Sequence, residues 1–190
     1  MNAPSPDPHP LARPTGAIIW LTGLSGSGKT TIATELEKVL RRNDRSVCVL
    51  DGDELRRGVS SDLGFSPEDR AENVRRVAEI ARLMADAGLL VIVALISPFR
   101  RDREKARQIA DAGGLRFIEV FLDCPISICE QRDTKGLYRK ARAGELAAFT
   151  GVDAAYEIPQ TPEIALSTGT ESPGESTAKL GGFVCDRLGL

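Results

Sequence analysis

The sequence predicts an α/β fold of three layers, a central parallel sheet with helices on both faces. Apolar runs of strand length recur at 17–22, 46–51, 89–96 and 116–123, and they are continuous rather than alternating. Strands buried on both faces read this way. Helical patterns at 29–42, 67–87 and 101–112 separate the runs, which is the βαβ alternation of an open parallel sheet. A glycine-rich turn joins the first strand to the first helix, at the sheet edge where such folds bind ligands.

The chain of 190 residues suits one domain with a substantial core. Its net charge of −2 argues against a nucleic acid polymer or an anionic membrane as partner. The longest apolar run, "GLLVIVALI", is too short to span a bilayer. Residues 1–15 form a proline-rich leader without the apolar stretch of a signal peptide. We expect it to be disordered, the folded domain to occupy 16–190, and the protein to be cytoplasmic. The four cysteines (Cys48, Cys124, Cys129, Cys185) show no CxxC or zinc spacing and read as reduced thiols. The one histidine, His9, lies in the leader, so imidazole catalysis is not expected.

The first strand, "AIIWLT", runs into "GLSGSGKTT" and then a helix. The spacing Gly23-x4-Gly28-Lys29-Thr30 is the Walker A pattern in its required strand-to-helix setting. Backbone N–H groups of Gly23, Ser25, Gly26, Ser27, Gly28, Lys29, Thr30 and Thr31 would wrap phosphate oxygens at the helix N-terminus. Lys29 would reach the terminal phosphates and Thr30 would offer its hydroxyl to Mg²⁺. ATP and Mg²⁺ are the expected co-substrate and cofactor.

The second strand ends in "DGDELRRG", bringing Asp51 and Asp53 near that loop. A carboxylate there could hold Mg²⁺ through water or accept a proton from an attacking hydroxyl. The plainer alternative is an acidic turn with Asp53 capping the next helix. The helix at 67–87 is announced by Ser66 as N-cap, Pro67 at its first position and Gly88 at its end. Arg70 and Asn73 share one of its faces, and Arg56 precedes it. Two arginines and an amide suit an anionic acceptor, although surface pairing with Glu68, Asp69 or Glu72 is the plainer alternative. Phe65 and Phe149 are loop aromatics that could stack on a base or fill the core.

The third strand ends in "ALISPFRRDR". Proline after Ser97 favours an extended serine, either a pocket wall or an N-cap. Arg100, Arg101 and Arg103 read as a solvated face. Beyond Asp123 the chain turns polar, with little core-forming material, which suggests a lid over about 132–157. A short fifth strand in "PEIALST" and a closing helix at 174–188 complete the domain.

The segments "GLSGSGKTT", "LDGDELRRG", "DLGFSPEDRAENVRRVAEIARLMADAG", "ALISPFRRDR", "RDTKGLYRKARAGE" and "FTGVDAAYE" resemble, in that order, the adenylyl-sulfate kinases. The resemblance covers about residues 16–168 and implies a P-loop kinase fold with a lid in its C-terminal half. It implies ATP-dependent phosphorylation of the ribose 3′-hydroxyl of adenosine 5′-phosphosulfate, yielding 3′-phosphoadenylyl sulfate in sulfate assimilation. By matching positions, Asp53 resembles the aspartate that contacts the 3′-hydroxyl and helps place Mg²⁺. Arg56, Arg70 and Asn73 match residues that hold the phosphosulfate, and Phe65 and Phe149 match an adenine sandwich. Ile96 and Ser97 match a stretch of acceptor wall, Ser97 also a phosphoserine position, and Lys135 a lid lysine. Arg132 joins the ATP-binding set. Glu54 and Arg57 depart from the family's usual asparagine and histidine or glutamine. The resemblance also implies a homodimer and functional association with ATP sulfurylase, the chain being a free-standing kinase or an excised domain. Another small P-loop kinase, for a nucleoside, gluconate or shikimate, is the alternative, with a nucleotide-dependent regulatory switch behind it.

Overall fold

The computed structural model describes residues 16–190; the proline-rich leader lies outside the described residues. Among these, five parallel strands form one sheet in the order β2-β3-β1-β4-β5. The strands are β1 (Ala17–Thr22), β2 (Val47–Asp51), β3 (Leu90–Ala94), β4 (Arg116–Leu122) and β5 (Ile164–Leu166). The helices are α1 (Lys29–Arg42), α2 (Gly52–Arg57), α3 (Pro67–Asp86), α4 (Arg100–Ala112), α5 (Ile126–Arg132), α6 (Leu137–Arg142) and α7 (Pro173–Leu188).

β1 is central and wholly buried, and its alternating side chains feed both cores. Ile19 and Leu21 face a cluster that includes Ile32, Leu36 and Leu40 of α1 and Leu180 and Val184 of α7. Ile18 and Trp20 face Val74 and Val77 of α3 and Ala106 and Ile109 of α4. Trp20 stacks on Phe117 of β4 with ring centroids 5.7 Å apart. This two-faced burial is why the strands read as unbroken apolar runs. It confirms the expected strands to within two residues at each end, and all four long helices to within one.

Three short helices go beyond the expected elements: α2, α5 and α6, of six, seven and six residues. The segment after Asp123 is also less devoid of core than its polarity suggests. Cys124, Cys129, Tyr138 and Phe149 make a third cluster, with Leu24, Ile126, Leu137 and Leu146 packed around it. Tyr138 meets Phe149 edge to face at 5.0 Å. The segment expected to form a lid therefore carries its own small core, seated against the loop after β1. All four cysteines are free thiols, and burial pushes Cys129 up to about 12. No helix among the described residues is long and apolar enough to cross a membrane.

Leu36 is fully buried between α1, the sheet and α7. Leu36→Ala should cost about 2–5 kcal/mol, seen as a lower urea midpoint with an unchanged slope.

Candidate active site

The C-terminal ends of β1, β2, β3 and β4 converge on one edge, as parallel pairing requires. There the chain leaves β1 through Gly23–Gly28 and enters α1. Gly28 is the N-cap, left-handed at φ 100, and makes no side-chain cap. A residue with a Cβ would be strained there. At Gly23 the limit is space, because a Cβ would lie 2.9 Å from the Leu122 carbonyl oxygen. The other long helices that open with a serine behave differently. Ser66 caps α3, Ser172 caps α7, and both have acids in the first turn. α1 has neither cap nor acid, so its first N–H groups and its positive pole remain available to an anion.

Lys29 folds back over this loop, donating to the carbonyls of Gly23 at 2.9 Å and Leu24 at 2.7 Å. Burial lowers its pKa to about 8. An anion would stabilise the charged form and draw the ammonium off those carbonyls. Arg132 at the end of α5 donates to the Gly26 carbonyl at 3.2 Å and to the Thr168 carbonyl at 2.6 Å. The Tyr138 hydroxyl donates to the Ser25 carbonyl at 2.9 Å. The loop is thus braced through its carbonyls, and of its own N–H groups that of Ser27 donates to the Leu24 carbonyl at 3.1 Å.

Beside the loop, the Thr30 hydroxyl donates to Asp51 at 2.8 Å, and the other Asp51 oxygen accepts from the Asp53 N–H at 2.9 Å. Asp51 is therefore the N-cap of α2, and the capping alternative for Asp53 is overturned. Asp53 instead forms an ion pair with Lys135 from the lid, both side chains about half exposed. Thr30, Asp51, Asp53 and Lys135 make one polar patch at the phosphate loop. Asp51 had only its place in the strand to recommend it; its bond to Thr30 comes from the fold.

On the far side lie the proposed acceptor residues. Arg56 sits 4.4 Å from the ring centroid of Phe65, and Arg70 sits 5.7 Å from the same ring. Arg70 donates to the Phe65 carbonyl at 2.9 Å, to the Ala148 carbonyl at 2.7 Å and to the Thr150 hydroxyl at 3.0 Å. It thereby ties the Phe65 loop to the Phe149 segment. Neither arginine forms an ion pair among the described residues. Glu72 is taken by Arg75 and Arg76, and Arg70 makes no ion pair with Glu68 or Asp69 among the described residues, so the surface-pairing alternative for Arg70 fails. Burial lowers the pKa of both guanidiniums, and Arg56 lowers that of Arg70 further. Two half-buried cations beside each other, with Asp69 and Asp153 near but outside ion-pair distance, suit a further anion. Asn73 is buried on the same helix with its Oδ1 unpartnered. Phe65 is 53% exposed, a large aromatic surface open to stacking, whereas Phe149 is mostly covered by Tyr138.

Ser97 departs from the extended form expected before proline. Its φ is +40, it is buried, and Phe99 rather than Ser97 is the N-cap of α4. Its hydroxyl accepts from Trp20 Nε1 and donates to Thr22, each at 3.1 Å. The neighbouring Ile96 is half-buried, its carbonyl accepting from Thr22 at 2.7 Å. Of the three arginines expected to be solvated, Arg100 and Arg101 are exposed but Arg103 is buried. A cleft of about 610 Å³ runs between the end of β4 and residues 151–158, with Leu24 of the phosphate loop in its wall.

The chain matches the adenylylsulphate kinase family over residues 15–167. It is 58% identical over 151 residues to the adenylyl-sulfate kinase of Enterobacter sp. (strain 638), covering 80% of this chain and 74% of that one. It is 50% identical over 173 residues to the bifunctional enzyme NodQ of Rhizobium meliloti. That match spans 91% of this chain but 27% of NodQ. Among solved structures, the APS kinase CysC of Mycobacterium tuberculosis in complex with AMPPNP and APS superposes with a TM-score of 0.88 at 47% identity. The superposition covers 90% of this chain and 98% of that one. A family match over most of the described domain, at such identity to proteins of similar length, leaves one conclusion: the chain belongs to the adenylylsulphate kinase family.

Proposed function

We propose that this chain transfers the γ-phosphoryl group of ATP to the ribose 3′-hydroxyl of adenosine 5′-phosphosulfate, giving 3′-phosphoadenylyl sulfate and ADP. The observation that carries the acceptor assignment is the pair Arg56 and Arg70, without carboxylate partners and packed on the exposed ring of Phe65. Such a pair suits a ligand that is both anionic and aromatic. The match to adenylyl-sulfate kinases supports the same ligand, as does the M. tuberculosis relative, whose structure holds AMPPNP and APS.

In this reading the phosphate loop and Lys29 hold the donor, and Arg132 keeps the loop in shape. Asp53 accepts the proton of the 3′-hydroxyl as its oxygen bonds to the γ-phosphorus and the bond to the β-phosphate oxygen breaks. Lys135 is paired with Asp53 before ligands enter. The donor phosphates would compete for that ammonium and release the carboxylate to the acceptor. Ser97 serves as acceptor wall, because its buried hydroxyl is already engaged twice, and direct in-line transfer needs no second nucleophile. Asn73 offers its unpartnered Oδ1 to a donor group of the acceptor, a hydroxyl or amine rather than the phosphosulfate, since an amide oxygen only accepts, and Phe149 supports the lid side of the adenine site.

Mg²⁺ fits this donor set. The Thr30 hydroxyl and the carboxylates of Asp51 and Asp53 are hard oxygen ligands at the phosphate edge. No cluster of three or more acidic, histidine or cysteine ligands occurs among the described residues. A kinase Mg²⁺ is held by one or two protein oxygens together with phosphates and water. When bound, it supplies charge neutralisation across the transferring phosphates. The match to NodQ, a bifunctional enzyme, supports association with a second activity, for which ATP sulfurylase is our reading.

Lys29 sets a pH dependence. Its free-state pKa is about 8 and phosphate would raise it, so nucleotide binding takes up a proton above that pH. Affinity for ATP should be flat below pH 8 and then fall by up to about tenfold per unit above it. Calorimetry in two buffers of different ionisation heat at pH 8.5–9 should register the uptake; none would refute the role given to Lys29.

Arg70→Ala should raise KM for adenosine 5′-phosphosulfate by roughly 1.5–3 kcal/mol in free-energy terms, with KM for ATP nearly unchanged. Equal changes in the two constants would sink the acceptor assignment.

Asp53→Asn should lower kcat by about 100-fold or more while the melting temperature stays near that of the parent, since Asp51 does the capping. Turnover close to that of the parent would transfer the carboxylate role to Asp51.

A further inference from the structure

The buried Arg103 has no part in the phosphate loop or the acceptor arginines, yet it makes three charge-assisted bonds to three separate segments. It donates from Nε to Glu119 of β4, from Nη1 to the carbonyl of Ser97, and from Nη2 to the carbonyl of Glu157, each at 2.7 Å. Its side chain is 3% exposed. Glu119 is fixed in turn by Arg107, which also holds Glu163 in a two-bond pair at 2.8 and 2.9 Å. The network has two cations and two anions, so it is neutral and has no call on a phosphate.

What Arg103 joins is informative. Ser97 is a non-glycine residue in the left-handed region, a conformation that persists only when its surroundings over-determine it. Here the hydroxyl is held by Trp20 and Thr22 and the carbonyl by Arg103. Glu157 closes the lid segment. Its N–H donates to the Pro98 carbonyl at 2.8 Å, and its carboxylate accepts from the Arg100 N–H at 2.7 Å. Beside it, the hydroxyls of Tyr156 and Thr22 lie 2.9 Å apart. The lid is therefore anchored by Arg132 at its start and by Arg103 at its end. The first anchor grips the donor loop, and the second grips the acceptor wall.

We infer that Arg103 is a positioning residue for the acceptor: it locks the Ile96–Pro98 wall and the C-terminal root of the lid into one unit, so that residues 148–150 meet Arg70 in register. This rests on the acceptor site proposed above. A planar guanidinium with donors in fixed directions can serve three acceptors at once, which an ammonium on a flexible stem reproduces poorly.

The test uses Arg103→Lys and the charge-balanced Arg103→Gln/Glu119→Gln. In each, KM for adenosine 5′-phosphosulfate should rise about tenfold or more, KM for ATP should change less than about twofold, and amide exchange should quicken at 148–158 but not at 23–31. Changes of equal size in both KM values, or a lowered melting temperature with both constants intact, would make Arg103 an ordinary core strut and overturn the inference. Failure of both variants to fold would do the same. A parent enzyme inactive on adenosine 5′-phosphosulfate would instead refute the proposed substrate, and loss of exchange protection confined to 148–158 would still support the anchoring.

Discussion

The architecture turns on a helix that begins without a cap. At the centre of the molecule α1 begins on Gly28 without a side-chain cap, and a glycine N-cap forgoes only a few tenths of a kcal/mol of stabilisation against a good side-chain cap. A ligand that binds only the folded state returns it through mass action. Until then, the loop must be kept open by other means. Tyr138, Arg132 and the folded-back Lys29 all bond to carbonyls of the loop rather than to its N–H groups. The braces use the acceptors of the loop and, apart from the Ser27 N–H that closes a turn on Leu24, leave its donors to an anion.

That constraint accounts for the third hydrophobic cluster. A polar lid with no core would impose little order on Arg132, Lys135 or Tyr138. Packing Cys129, Tyr138 and Phe149 together with Leu24 ties lid and phosphate loop into one local body. Lys135 is left exposed at the edge of that body, paired with Asp53 among the described residues. Exposed pairs of this kind are worth about 0–1 kcal/mol, so this contact is a weak one.

How much of this could be read from the chain depends on the range of the forces involved. The sheet was legible because strands buried on both faces leave long apolar runs, and α3 because Ser66, Pro67 and Gly88 mark its ends locally. Helices α2, α5 and α6 span fewer than two turns, too few for a periodic stripe to stand out. The third cluster was illegible because its members are scattered from Leu24 to Val152 and meet only through the fold. Within the site, the phosphate loop was evident from spacing alone. The bond from Thr30 to Asp51 and the left-handed Ser97 depend on how β1, β2 and β3 lie side by side. Arg103 did leave a faint signal: it shares the apolar face of α4 with Ala106 and Ala110, three and seven residues on.

Arginine does two opposite jobs in this protein, and partners rather than location tell them apart. Arg103 and Arg107 are compensated by Glu119 and Glu163, and with their charge spoken for they can only hold structure together. Arg56 and Arg70 use backbone carbonyls and a hydroxyl to fix their orientation, and these satisfy hydrogen bonds without cancelling charge. The result is a pair of oriented cations whose field Asp69 and Asp153 offset only in part. A carboxylate introduced beside them would stabilise the free protein by removing that repulsion and would weaken any anionic acceptor in the same measure. Burial holds both guanidiniums below their usual pKa, and the neighbouring Arg56 adds to this at Arg70, so an anion between them would be bound against less competition from water.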